Sequence, residues 1–255
     1  MTTQKKTKLK TLVGLLKPGK VVIAPWLENV GISRNLQKHY LESGWLEQFG
    51  RGAYKKPGDQ VEWHGALNAV QEQAKINVHV GGLTALSLQG LGHYIRMNDE
   101  TLFLFSSTKA KLPKWFIDHN WDFKILHKQS TFLPKNLGIE KMEIKQNTVF
   151  TSVPERAIME CLLLAPQTMD MVECYHLFEG LVNLKPKLVS ELLMNCSSVK
   201  VKRLFLYMAD KAKHQWFQFL DLNKIDIGTG NRTLATNGLF QSKYLLSVPK
   251  DLAEL

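Results

Sequence analysis

The first 57 residues put three helical patterns and a glycine-tipped hairpin pattern into the most basic part of the chain, which leaves few folds open. Leu9, Leu12, Val13 and Leu16 recur at i, i+3, i+4 and i+7, the apolar stripe of a first helix that Lys17-Pro18-Gly19-Lys20 breaks. A second short helix carries Ile23, Leu27 and Val30 on one face, with Pro25 tolerated only near its start. Gly31-Ile32 forms the turn, and Ser33 is the expected N-cap of a third helix running to about Glu42 and stopping at Ser43-Gly44. Two short helices across a tight Gly-containing turn have helix-turn-helix spacing. Trp45 to Phe49, Gly50-Arg51-Gly52 and Ala53 to Lys56 then read as a hairpin with a Gly-rich tip. The order is that of a winged helix, closed by Pro57-Gly58-Asp59.

Charge follows the same boundary. The chain of 255 residues has 33 Lys/Arg and 23 Asp/Glu, a formal charge of +10. Residues 1–56 hold eleven of the bases and three acids (Glu28, Glu42, Glu47), net +8, which leaves 22 bases and 20 acids, net +2, for residues 57–255. A compact basic unit ahead of a near-neutral body is the footprint of a polyanion-binding module. For Lys5 to Lys10 alone a solvated tail explains the charge, but Arg34, Lys38, Arg51 and Lys55 lie inside patterned segments.

On the third helix Leu36 and Tyr40 share one face while Arg34, Asn35 and Lys38 lie opposite, near the N-terminal end; Leu41 falls beside the polar face. Arg, Asn and Lys suit base edges and phosphates, and the start of a recognition helix is where they reach the major groove. Arg51 at the wing tip suits a phosphate or the minor groove. The expected DNA-facing set is Ser33, Arg34, Asn35, Gln37, Lys38, Arg51, Tyr54 and Lys55. A winged helix used only for protein contacts is the alternative.

The body reads as mixed α/β to about residue 152 and mainly helical after it, so the fold class expected is α+β with domains at 1–57 and 58–255. Helix is expected from Asp59 to about Gln73, from Gly81-Gly82 to Gly90-Leu91-Gly92, and over Pro113 to His119. Strands are expected over Ile76 to Val80, Thr101 to Phe105, Asp122 to His127, Met142 to Ile144 and Thr148 to Thr151; helices follow at about 154–164, 168–182, 187–195 and 199–220. The 44% hydrophobic content is enough to bury a core. The longest uncharged stretch, Ile76 to Ile95, approaches the ~20 residues of a bilayer span. Its Asn77, His79, Gln89, His93 and four Gly argue for a buried strand and helix instead, so no membrane span is expected. Cys161, Cys174 and Cys196 lie too far apart for a disulfide scaffold and point to a reducing, cytoplasmic setting.

Several segments together resemble the AbiEi antitoxins, the antitoxin halves of bacterial abortive-infection (type IV) toxin–antitoxin operons. Behind the winged unit come His79-Val80-Gly81-Gly82-Leu83-Thr84-Ala85-Leu86-Ser87-Leu88-Gln89-Gly90-Leu91-Gly92-His93-Tyr94, then Thr151-Ser152-Val153-Pro154-Glu155-Arg156-Ala157-Ile158-Met159-Glu160, then Val201-Lys202-Arg203-Leu204. The resemblance covers about residues 10–250. It implies a winged helix that binds double-stranded promoter DNA and represses the operon, and a C-terminal domain that counteracts an AbiEii-type nucleotidyltransferase toxin. It implies no catalytic residue and no cofactor. The family pattern often has Ser-Pro-Glu-Arg with an Asp a few residues on; here Val153 intervenes and Glu160 takes the acidic place. Pro154 and Glu155 also suit a helix start, and Arg156 a pairing inside the domain.

Lys200, Lys202, Arg203, Lys211 and Lys213 make a basic run on a late helix, either a solvated face or a contact with toxin or nucleic acid. No Cys-x-x-Cys or His-x-x-x-His metal spacing, no phosphate-loop motif and no nucleophile elbow occurs, and Gly228-Thr229-Gly230-Asn231 follows no clear strand. Two further functions stay open. A winged-helix regulator with a ligand-sensing body is one. The other is a metal-dependent nuclease built on Asp122-Phe123-Lys124 and Glu143-Ile144-Lys145, where each acid and Lys would share a strand face.

Overall fold

The structure, a computed structural model, describes residues 3–92 and 101–255, with side chains from residue 7. His93, Tyr94 and Ile95 of the segments above, and the side chains of Lys5 and Lys6, lie outside the described residues.

Helix α1 spans Thr3–Leu15 and is followed by strand β1 (Val22–Ile23), α2 (Ala24–Asn29), α3 (Arg34–Glu42), β2 (Glu47–Gly50) and β3 (Ala53–Lys55). The three strands form a sheet in the order β1-β3-β2, with Val22 opposite Tyr54 and Ile23 opposite Ala53. Leu12, Leu16, Val22, Leu27, Ile32, Tyr40 and Leu46 fill the core beneath it. Ile23 therefore belongs to a strand, not to the second helix. The run Val21-Val22-Ile23 is β-branched and pairs with β3, so α2 starts one residue later with Pro25 in its first turn. Val13, expected in the buried stripe, is exposed because it points ~100° away from Leu12.

Helix α4 (Trp63–Asn68) runs on into a π-helical turn, Ala69–Gln73. It begins later than expected, since Asp59 caps no helix: its Oδ2 accepts from the Gly19 N–H at 2.6 Å. Strand β4 (Val78–Val80), α5 (Gly82–Leu88), β5 (Thr101–Ser106), α6 (Lys114–Ile117), β6 (Lys124–Gln129), β7 (Ile139–Ile144) and β8 (Asn147–Ser152) follow. These strands form a five-stranded sheet, order β6-β5-β4-β8-β7, with β5 and β6 parallel from Thr101–Lys124 to Ser106–Gln129.

Helices α7 (Pro154–Leu164), α8 (Met171–Glu179), α9 (Pro186–Asn195) and α10 (Val199–Lys211) come next. The last is shorter than expected, because Lys213 turns left-handed (φ 53°) and Gln215–Phe219 form a 3-10 turn. A small sheet that the sequence reading missed closes the chain: β9 (Arg232–Thr233), β10 (Leu239–Gln241) and β11 (Leu246–Val248), order β10-β11-β9, then α11 (Lys250–Glu254). The fold class is α+β.

The chain forms two compact units. The first comprises residues 1–78, 109–123 and 141–150; the second comprises 79–108, 124–140 and 151–255. The first unit holds 17 Lys/Arg and nine Asp/Glu, net +8, and the second 16 and 14, net +2. The core of the second unit is built by the inner faces of α7, α8, α9 and α10, including Ile158, Leu162, Phe178, Leu193 and Phe205.

Candidate nucleic-acid interface

Ser33 caps α3 as its sequence position requires: with extended backbone, its Oγ accepts from the Leu36 N–H at 3.4 Å. The cap fixes the first turn, from which Arg34 and Asn35, with Lys38 on the next turn, project into solvent. The Arg34 Nε donates to Glu28 on α2 at 2.7 Å, with the two side chains 52% and 41% exposed. Such a pair is worth at most about 1 kcal/mol and is screened by salt, so it aligns the guanidinium without withholding it.

Gln37, expected among the DNA-facing residues, is instead 1% exposed. Its Nε2 donates to the carbonyls of Ala24 (3.0 Å) and Ile32 (2.8 Å), pinning α3 to both ends of the preceding helix and turn. The buried face of α3 is centred on Gln37 and Tyr40, flanked by half-buried Leu36 and Leu41, which also accounts for Leu41 beside the polar face.

Arg51 stands exposed at the hairpin turn beside Gly52, whose φ of 74° favours glycine. Tyr54 packs on the core, and Lys55 reaches Glu47 Oε1 at 2.9 Å and the Asp59 carbonyl at 2.6 Å. The Gly58 N–H, and then Lys55, hold the Glu47 carboxyl below its usual value. Ser33, Arg34, Asn35, Lys38 and Arg51 thus present surface, Tyr54 and Lys55 are half-buried, and Gln37 is inside.

Two stretches distant in sequence complete this unit. The 141–150 stretch brings Lys145 to Glu62 and Lys141 to Glu72 (3.3 Å). The 109–123 stretch packs on β2: Phe49 stacks on His119 with centroids 4.3 Å apart, and Trp121 lies 4.2 Å from His119 on the same cluster. Burial, and then nearby Lys55, hold the His119 ring below its usual basicity.

In the second unit the segments beginning at His79 and Thr151 converge on Glu160, which is fully buried. Its Oε1 lies 2.7 Å from His79 Nε2 and 2.8 Å from Arg156 Nε, and its Oε2 accepts from the Gly82 N–H (3.0 Å) and Ser152 Oγ (2.9 Å). Burial alone would raise the carboxyl, but His79 and Arg156 outweigh it and hold it below the ordinary value. Arg156 also donates to the carbonyls of Pro134 and Leu137, each at 2.7 Å. Gly81 must be glycine here, because a Cβ would sit 2.2 Å from Glu160 Oε2. Thr84 adds a link by donating to the Thr101 carbonyl and accepting from the Phe103 N–H. Glu155 accepts from the Lys185 N–H, so Glu155 and Glu160, with His79 and Arg156, bind the domain together from within.

The basic run on α10 is not a solvated face. Arg203, the largest fully buried side chain, donates to five carbonyls: Ile227, Gly230 and Leu245 at 2.7–2.8 Å, and Gly228 and Thr229 at 3.2–3.3 Å. Lys200 donates to the carbonyls of Leu163 and Ala165, Lys202 is buried, and Lys211 donates to the Ala253 carbonyl. Only Lys213 of the five is exposed. The carbonyls of the Gly228-Thr229-Gly230 turn are all directed to Arg203.

The two acid-x-Lys pairs do not share strand faces. Asp122 precedes β6, and Lys145 occupies the left-handed turn between β7 and β8, paired with Glu62. Among the described residues no group of three or more His, Cys, Asp or Glu could hold a metal ion. Burial raises the thiols of all three cysteines, Cys174 to about 12, so none is a thiolate at neutral pH. No helix among the described residues is long and apolar enough to cross a membrane.

No curated protein matches the chain. The crystal structure of the RV2827C protein from Mycobacterium tuberculosis is similar over 96% of this chain and 92% of that one, with a TM-score of 0.60 and 14% identity, a likeness of fold. Residues 5–97 match the family described as "Transcriptional regulator, AbiEi antitoxin N-terminal domain". Residues 99–249 match that described as "Transcriptional regulator, AbiEi antitoxin, Type IV TA system". The winged unit and the Glu160 network are thus those of a chain that belongs to the AbiEi antitoxin family of type IV toxin–antitoxin transcriptional regulators.

Proposed function

We propose that this antitoxin binds double-stranded DNA in its own promoter through α3 and the wing, represses that operon, and neutralises a co-encoded AbiEii-type nucleotidyltransferase toxin in the cytoplasm. The observation that carries the DNA half is the cap-fixed start of α3, where Arg34, Asn35 and Lys38 stand exposed opposite buried Gln37 and Tyr40. Arg34 and Asn35 suit base edges in the major groove, Lys38 and Arg51 suit phosphates, and the Ser33 cap sets their register. The first unit's net charge of +8 favours a polyanion and makes binding fall with salt. Neutralisation is assigned to the second unit, whose surface carries little net charge.

The test separates the two roles by substitution rather than truncation, because a cut near residue 57 would strip Phe49 of its partners Trp115, His119 and Trp121. The full chain carrying Arg34→Ala and Arg51→Ala is assayed for binding to a duplex from upstream of its gene and is co-expressed with the neighbouring nucleotidyltransferase. Each substitution is expected to weaken DNA binding by about 1–3 kcal/mol while growth rescue persists. Binding equal to wild type by the double variant would refute the assigned face. Lack of rescue by wild type would refute the toxin assignment.

A further inference from the structure

The stretch 109–123 belongs to the part of the chain matched by the second family description, yet it is built into the first, DNA-reading unit. Its seat is the wing itself. A Cβ on Gly50 would lie 2.7 Å from the Trp115 Cβ and 3.3 Å from its Cα, so the backbone of α6 presses directly on the last residue of β2. Arg51 follows Gly50, and Lys114 precedes Trp115. The stacking of Phe49 on His119, with Trp115 and Trp121 each 6.1 Å from the Phe49 ring, fixes the stretch against the strand. The wing is therefore two-layered, and its second layer starts with lysines.

The charges of the two recruited stretches are used differently. Lys141 and Lys145 of 141–150 are neutralised by Glu72 and Glu62. Lys111 and Lys114 are exposed and, among the described residues, pair with no carboxylate. The acids of the same stretch, Asp118 and Asp122, stand at and beyond the C-terminal end of α6, and neither pairs with Lys111 or Lys114. Two unpaired cations on the stretch that packs on Gly50, the residue before exposed Arg51, add positive charge to the wing, and a run of phosphates is what neutralises it.

We propose that Lys111 and Lys114 form a second DNA-backbone contact that widens the wing, gripping phosphates flanking the one reached by Arg51. This rests on the DNA reading above and adds contacts that carry no sequence information. Lys111 and Lys114 then supply affinity and salt sensitivity, while α3 supplies selectivity.

The test uses the full chain with Lys111→Gln and Lys114→Gln together. Its probes are a 40-base-pair duplex from upstream of the gene and an unrelated duplex of equal length, across a potassium chloride series. The expected result is weaker binding to both duplexes by the same factor. The slope of log K against log salt should become less negative by about two, near 0.9 per lost phosphate contact. Lys111→Arg with Lys114→Arg should restore both readouts, and Lys145→Gln should change neither. Wild-type affinity and slope in the Gln variant, with Arg34→Ala and Arg51→Ala still weakening binding, would overturn the second contact and leave the DNA reading standing. Loss confined to the promoter duplex would also overturn it, since phosphate contacts do not discriminate. Absence of binding to either duplex by wild type would overturn both.

Discussion

Glu160 keeps a negative charge in the interior because Arg156, Gly82 and Ser152 all donate to it and His79 lies against it. Removing the carboxylate leaves a buried guanidinium without its counter-charge, a loss of about 3–5 kcal/mol in such pairs. Glu160→Ala should therefore lower stability to denaturant by that order at neutral pH. Because the folded-state carboxyl is held below its ordinary 4.5, its contribution is complete above that value and is lost as pH falls through the lower folded value. Wild-type stability should accordingly drop below pH 4.5, and Glu160→Gln should be less stable at pH 7 with a shallower acid limb. An acid limb unchanged by the substitution would refute this. Arg203 makes the same point with the opposite charge. Arg203→Met abandons five carbonyls and should lower stability by at least about 3 kcal/mol, whereas exposed Lys213→Ala should stay within about 0.5 kcal/mol. If Arg203 were a ligand contact, the denaturation midpoint would hold.

Among the elements, α3 separates what a pattern can reveal from what it cannot. Its cap, its length and its exposed Arg34, Asn35 and Lys38 were legible, because a serine before a helical period and a Ser-Gly stop are local signals. Gln37 was not, since a polar residue defaults to the surface unless its partners are known, and its partners are backbone carbonyls of Ala24 and Ile32. Strand β1, at two residues, is too short for alternation to register, and β9 to β11 have only two or three residues each. The acid-x-Lys reading of Glu143 failed at Lys145 for a related reason: strand alternation was extended into a turn residue. Gln37→Leu should thus lower the unfolding midpoint, costing about 1–3 kcal/mol by leaving buried carbonyls unbonded, while Asn35→Ala leaves it unchanged and alters only DNA binding. The reverse pattern, a stable Gln37 variant and a destabilised Asn35 variant, would mean that the faces of α3 are exchanged.

For the whole molecule, the sequence's break after Pro57 describes chain order, whereas the compact basic unit is discontinuous and takes in 109–123 and 141–150. No local period encodes such a return. The one trace of it is composition, since Trp115, Phe116, Trp121 and Phe123 crowd a stretch too short to bury them itself. Phe49 shows the same from the other side, as an aromatic in a wing strand whose partners lie more than sixty residues on. A fragment 1–97, the span of the first family match, contains α1 to β3 and α4 but lacks those partners. It also lacks Asn147, which contacts His64, and Phe150, whose N–H and carbonyl Gln71 binds. Its helix-turn-helix core of Leu12, Leu27, Ile32, Tyr40 and Leu46 is intact, so it should fold, but with Phe49 and the π-helical turn uncovered. The expected outcome is a fragment with native α3 signals, a lower unfolding midpoint, binding of an apolar dye, and weaker, less salt-sensitive DNA binding than the full chain. Nuclear magnetic resonance, thermal denaturation, dye fluorescence and a salt titration of DNA binding, each run beside the full chain, measure the four in turn. If the fragment melts with the full chain and excludes the dye, residues 109–123 and 141–150 are passengers on the first unit rather than parts of it.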